Sequence, residues 1–215
     1  MEEQNSSRNK ILFLAQFSLL LAIEAIVCFT PLGSLPALGP IVATLSHIPV
    51  IITAVLLGTK AGAGMGFFFG LFSFLVWSFA PPSPAIAFVF TPFYSLGQFQ
   101  GNFWSLVICF VPRILIGVVT GLTFQALKHT KNRLLSYGLS GILGSLTNTL
   151  LVLGGIYFFF GQDYATAIGS AYNLLLGLIV LTILTSGIPE AILGGFAAYA
   201  IGAPLNKVLS NADRS

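Results

Sequence analysis

The chain has 215 residues, 56% of them hydrophobic and only 7% charged, with a formal net charge of +3. A water-exposed domain carries about 25% charged residues, so a soluble catalytic domain is excluded and the surrounding solvent is largely lipid. The basic residues are scattered, which argues against a nucleic-acid partner, and the two cysteines have no metal-ligand spacing.

About 20 apolar residues cross a bilayer as one helix. Six candidate spans follow in chain order, at 11–29, 41–57, 62–79, 104–127, 134–160 and 188–208. The expected fold is an all-α integral membrane protein: one domain over residues 1–215, built as a six-transmembrane-helix bundle with structured outer loops. Arg8 and Lys10 precede the first span as they would in a signal peptide, but Glu24 interrupts the apolar run and no small-x-small cleavage site follows. The segment is therefore read as a retained span. Glu24, midway along it, must pair with a cation, be protonated or face a cavity. Ser18 and Ala22 form a weak small-xxx-small pair on the same span.

The connection "TPLGSLPALGP" at 30–40 is rich in Pro and Gly and uncharged. His47 then sits in "LSHIPVII", ahead of Pro49. It is placed either to hydrogen-bond a neighbouring helix or to meet a ligand. The third span contains "GAGMGFFFGLF", in which Gly62, Gly66 and Gly70 recur every four residues. Such a stripe lets another helix approach backbone to backbone, either inside the chain or as a docking face for another membrane subunit. The next connection, 80–102, carries Tyr94 and is again free of charge and rich in Pro, Gly and aromatics. Both uncharged connections are expected to fold over the mouth of the bundle as a cover.

The fourth span holds "CFVPRILIG". Arg113 lies nine residues after Trp104, roughly 14 Å below the helix end at ~1.5 Å per residue. A charge at that depth costs at least ~2.5–3.5 kcal/mol, so it must face a partner or a wet cavity. Either it clamps an anionic ligand or it pairs with Glu24 or Glu190. In the fifth span Asn148 follows Gly141, Gly144 and Ser145 at helical spacings, as interhelical glue or as a ligand contact. Residues 168–186, which include Asn173, are uncharged and long enough to span. The reading adopted is an outer helix that dips back and packs on the bundle, with a seventh crossing as the alternative. In "SGIPEAILGG" Gly187 fits an N-cap, so that Glu190 falls at a capping-box position opening the sixth span; the alternative is a ligand contact.

With the N-terminus placed in the cytoplasm, Arg8, Lys10, Lys60, Lys128, Lys131, Arg133, Lys207 and Arg214 all fall inside, and the outside segments hold no Lys or Arg. This asymmetry predicts six crossings with both termini, 1–10 and 209–215, in the cytoplasm. There is no phosphate-binding G-x-x-x-x-G-K-[ST] loop, no H-E-x-x-H and no G-x-S-x-G, so the chain does not hydrolyse ATP alone, and an intramembrane enzyme is the weaker class. No cofactor or metal is expected.

Four stretches together resemble one family: "LSHIPVIITAVLLGTKAGAGMGFFFGLFSF", "FVPRILIG", "GSLTNTLLVLGGIYFFFG" and "SGIPEAILGGFAAYAIGAPLNKVL". They look like the substrate-binding (S) components of energy-coupling factor (ECF) vitamin transporters, and most like the pantothenate-type branch. The resemblance implies six helices and a vitamin pocket near the outer face. Arg113, Asn148, Glu190, His47, Tyr94 and Asn173 are the candidate ligand contacts. It also implies docking through Ser18, Ala22, Gly62, Gly66 and Gly70 onto a transmembrane coupling subunit driven by two cytoplasmic ATPases in the plasma membrane. The alternatives are another vitamin, since Glu24, Glu190 and Arg113 sum to −1 if all ionise, or a stand-alone secondary transporter or channel.

Overall fold

The structure is a computed structural model, and residues 2–30, 45–130 and 132–212 are described. The connection at 31–40, the first residues of the second expected span at 41–44, Lys131 and Arg214 lie outside them. The described chain is almost entirely helical, as lipid requires: without water to bond to, backbone amides and carbonyls must satisfy one another within the segment. Helix α1 covers Glu2–Phe29, α2 Ile48–Leu57, α3 Thr59–Phe79 and α4 Phe103–Leu127. A π-helical turn, Leu134–Gly138, leads into α5, Leu139–Ala167. Five helical segments are long and apolar enough to cross a membrane, while α2 has only 10 residues. At ~1.5 Å per residue α2 covers roughly 15 Å, half of a hydrocarbon core.

Gly58, with φ +92°, separates α2 from α3 in a conformation that a side chain resists. Helix α3 then runs antiparallel to α4 in close backbone contact. A Cβ built on Gly62 would fall 3.1 Å from the Gly117 carbonyl, and one on Gly66 would strike the Arg113 carbonyl. One on Gly70 would strike Phe110. The glycine stripe is therefore consumed inside the chain. Gly62, Gly66 and Gly70, expected as a docking face for another subunit, are all three buried against α4. Their spacing is legible in the residue order, and the neighbour that uses it is not. Ser18 and Ala22 do lie exposed on α1.

The largest correction concerns residues 168–212. After a short turn with Gly169 at φ +71°, α6 (Tyr172–Thr182), a π stretch (Ile183–Gly187), α7 (Ile188–Ala197), a second π stretch (Ala198–Gly202) and α8 (Ala203–Ala212) run on without a break. There is no re-entrant helix and no reversal at "SGIP". Gly187 is helical at φ −64°, ψ −42°, so it is not an N-cap, and Glu190 lies inside the rod instead of at a helix start. Both π stretches end on a glycine two residues before a proline, Gly187 before Pro189 and Gly202 before Pro204. A proline removes one intrahelical hydrogen bond and crowds the preceding turn. The wider π turn accommodates that crowding without ending the helix. The rod returns Lys207 to the end of the bundle that holds Arg133.

At the end without Lys or Arg, the connection between α3 and α4 is ordered as a cover. A 3-10 helix, Pro84–Val89, is followed by a two-stranded antiparallel hairpin, β1 (Ser95–Leu96) and β2 (Phe99–Gln100). Ile86, Phe88, Val89 and Phe90 are buried in one cluster with Ile108 of α4, Ile156 and Phe160 of α5, and Leu175 of α6. Ser105 donates to the Phe88 carbonyl at 2.7 Å, and a capping box joins Asn102 and Ser105. The cover is thus tied to the first turn of α4 and plugged between the helices.

Gly66→Ala should overpack the α3–α4 contact at the upper end of the ~1–3 kcal/mol range or beyond. Gly154→Ala, where a Cβ meets nothing within 4 Å, should be neutral or stabilising by up to about 1 kcal/mol. Thermal unfolding of the two variants in detergent checks this; equal midpoints would contradict the packing described.

Candidate functional site

Pro112 and Arg113 set the centre of the site. Inside α4, Pro112 has no N–H to offer the carbonyl four residues earlier, which belongs to Ile108. Helical side chains lean back toward the N-terminus of their helix. Arg113 does so, and its guanidinium donates to that same Ile108 carbonyl at 2.8 Å. The proline opens a gap in the backbone ladder and the next residue fills it with a charged donor. This fixes the guanidinium toward the covered end of the bundle. Its Cζ lies 5.6 Å from the Phe69 ring of α3 and 5.5 Å from the Phe90 ring of the cover, within cation–π range of both. Phe90 is itself stacked on Trp77 at 4.5 Å. Arg113 is 7% exposed, and its Nε is buried without a hydrogen-bond partner.

Polar side chains from most of the other helices gather in the interior with it. Glu190 of α7 is buried and accepts from the Thr149 hydroxyl of α5 at 3.5 Å. It is also among the electrostatic neighbours of Arg113, together with Cys109 and Cys28. His47, at the start of α2, is buried, with its Nε2 3.2 Å from where a Gly194 Cβ would stand, one turn beyond Glu190. Gly194 is what lets the imidazole lie against α7. Glu24 of α1 is fully buried and accepts from the Cys28 thiol at 3.2 Å, and Ser46 lies within hydrogen-bonding reach of that thiol. Several buried polar atoms have no hydrogen-bond partner among the described residues: Glu24 Oε2, Ser145 Oγ and Asn148 Oδ1, besides Arg113 Nε. Buried polar groups are paired in the great majority of cases, so these unsatisfied donors and acceptors on three helices leave capacity for further polar contacts.

Arg113, Glu190 and His47 therefore stand in the buried interior, with Asn148 half-buried on α5. The proposed ion pair of Arg113 with Glu24 is not formed, since Glu24 is held by Cys28 on its own helix. Tyr94 and Asn173 stand apart from this group. Asn173 is exposed on the first turn of α6, and Tyr94 is half-buried beside the hairpin, where its carbonyl accepts from Gly101 N–H at 3.3 Å. Neither belongs to the buried polar group. Sequence reasoning missed Phe69, Phe90, Cys28 and Thr149. The aromatics were hidden among 20 phenylalanines. The Cys28 and Thr149 contacts depend on helix rotations that spacing alone does not give.

A family model described as the substrate-specific component of ECF transporters matches residues 12–202. The chain is 36% identical over 173 residues to the pantothenic acid transporter PanT of Lactococcus lactis subsp. cremoris, covering 80% of this chain and 82% of that protein. It is 31% identical over 207 residues to the pantothenate transporter PanT of Leuconostoc mesenteroides subsp. mesenteroides, covering 91% and 93%. The polar interior, the long apolar helices and these matches agree: the chain belongs to the family of ECF transporter substrate-specific components, and is a multi-pass membrane protein.

Proposed function

We propose that this chain captures pantothenate at the covered end of its bundle and hands it to a coupling subunit for ATP-driven uptake. The observation that carries the reading is Arg113, a buried guanidinium held under an aromatic cover with one donor unspent. Pantothenate offers a carboxylate, an amide and two hydroxyls. Arg113 supplies the charge-assisted donor for the carboxylate. Asn148 and Ser145 supply groups for the amide and hydroxyls, and Glu190, Thr149 and His47 frame the far side. The names of the two relatives support the choice of vitamin. Glu190, near the guanidinium but hydrogen-bonded to Thr149, leaves Arg113 available to a second carboxylate.

The rest of the proposal follows from charge and exposure. The Lys and Arg of the connections gather at one end, so that end faces the cytoplasm, with both termini, in the plasma membrane. The apolar run at 41–57, whose described part includes α2, makes the sixth crossing. The exposed small residues Ser18 and Ala22 on α1 form the approach surface for a transmembrane coupling subunit, which two cytoplasmic ATPases drive.

Arg113→Lys should weaken pantothenate binding although the charge is kept, because an ammonium does not reproduce the planar two-pronged geometry. A loss of roughly 2.7 kcal/mol, about a hundredfold in Kd, is expected. The amide analogue of the vitamin should lose a similar factor against the wild type but little more against Arg113→Ala. Calorimetry of the four combinations checks this, and additive losses would contradict a direct contact.

Ala22→Leu should leave vitamin binding unchanged and reduce uptake in proteoliposomes containing the coupling subunit and ATPases, since a large side chain blocks close approach. Full uptake by this variant, or uptake by the chain alone, contradicts the docking role. For orientation, Gln98→Cys should react with an impermeant thiol reagent from outside intact cells and Asn132→Cys should not; both positions are exposed. The reverse pattern would invert the topology.

A further inference from the structure

At the basic end of the bundle, a concavity of about 490 Å³ opens between the end of α4, the π turn that leads into α5, and α8. Lys128, Arg133 and Lys207 line it, with Thr130, Asn206 and Tyr137 between them. None of the described residues lining it is acidic. Asn206 is held in place, since its amide donates to the Tyr137 hydroxyl at 3.0 Å. Tyr137 is in turn buried and packed on Phe124, with ring centroids 4.7 Å apart. The floor is therefore fixed, while Lys128 and Arg133 are exposed and converge from two elements. Like charges directed into one concavity repel unless an anion sits between them.

We propose that this groove binds the phosphate of an anionic phospholipid headgroup. Its charge is complementary to a phosphodiester, and its polar lining adds hydrogen-bond donors of fixed direction. The source is a lipid because the groove opens beside apolar side chains left exposed on the same elements: Leu134 is 60%, Leu135 44%, Leu205 41% and Val208 62% exposed. A phosphate held by Lys128 and Arg133 would have hydrocarbon-facing surface directly beside it for acyl chains. Basic pockets between helices at one membrane face are suited to such headgroups. Neither the vitamin site nor the α1 face uses these residues.

The test is native mass spectrometry of the protein released from nanodiscs containing equal phosphatidylglycerol and phosphatidylcholine of the same acyl chains. The wild type should retain phosphatidylglycerol in preference, by about tenfold or more. The double variant Lys128→Ala/Arg133→Ala should fall to near parity. Lys60→Ala, which removes a cation at the same end but outside the groove, should keep the preference. An unchanged ratio in the double variant, or an equal loss in Lys60→Ala, overturns the proposal. Displacement of the lipid by millimolar inorganic phosphate, whatever the acyl chains, would assign the groove to a free anion and overturn the lipid assignment. If the double variant does not fold, thermal unfolding of the wild type decides: phosphatidylglycerol should raise the midpoint over phosphatidylcholine, and equal midpoints overturn the proposal.

Discussion

In a lipid-embedded chain every backbone polar group has to find its partner in the protein. Proline breaks that rule wherever it enters a helix, and this molecule is organised around how the breaks are repaired. At Pro112 the repair is a side chain: Arg113 donates to the carbonyl that the proline leaves open. The cost of placing a guanidinium deep in the bundle and the cost of an orphaned carbonyl offset each other. The result is a cation held in one place with donor capacity left over. At Pro189 and Pro204 the repair is conformational, through π stretches that keep α6, α7 and α8 in one rod. That continuity carries Glu190 into the interior, close to Arg113.

Position then propagates through backbone contact. The Arg113 carbonyl sits where the side chain of any residue but glycine at 66 would be. Helix α3 therefore fixes the depth and rotation of α4, and with them the guanidinium. The same helix supplies Phe69 to one ring contact, while the cover supplies Phe90 to the other. Cover and cation are in this way one unit. A movement that lifts Phe90 alters the surroundings of Arg113, and a ligand that engages Arg113 acts on the residue that anchors the cover.

Much of the frame was legible from residue order. Spans α1, α3 and α4 follow from the length of apolar runs, because lipid thickness sets a sharp requirement. Arg113, Glu190 and His47 stood out because ionisable groups in such runs are costly. What failed, failed for physical reasons. Gly187 and Pro189 carry the composition of a helix break, and the sequence does not distinguish a break from a widened turn. The Gly62–Gly66–Gly70 spacing announces a close approach, but either α4 or another subunit would satisfy it. Glu24 looked like a partner for Arg113 and is instead held one turn along its own helix by Cys28. Asn173 and Tyr94 were named for their place on the outer side, and both lie apart from the buried interior group.

The central claim is that the arginine beside Pro112 meets the carboxylate of the vitamin. The most direct measurement is a solid-state NMR distance between the guanidinium nitrogens of Arg113 and a carbon-13 label in the carboxyl group of bound pantothenate. The assignment uses Arg113→Lys to remove the signal. The account predicts a separation within about 4 Å, as a charge-assisted pair imposes. A bound carboxyl carbon that shows no coupling to Arg113 would contradict it.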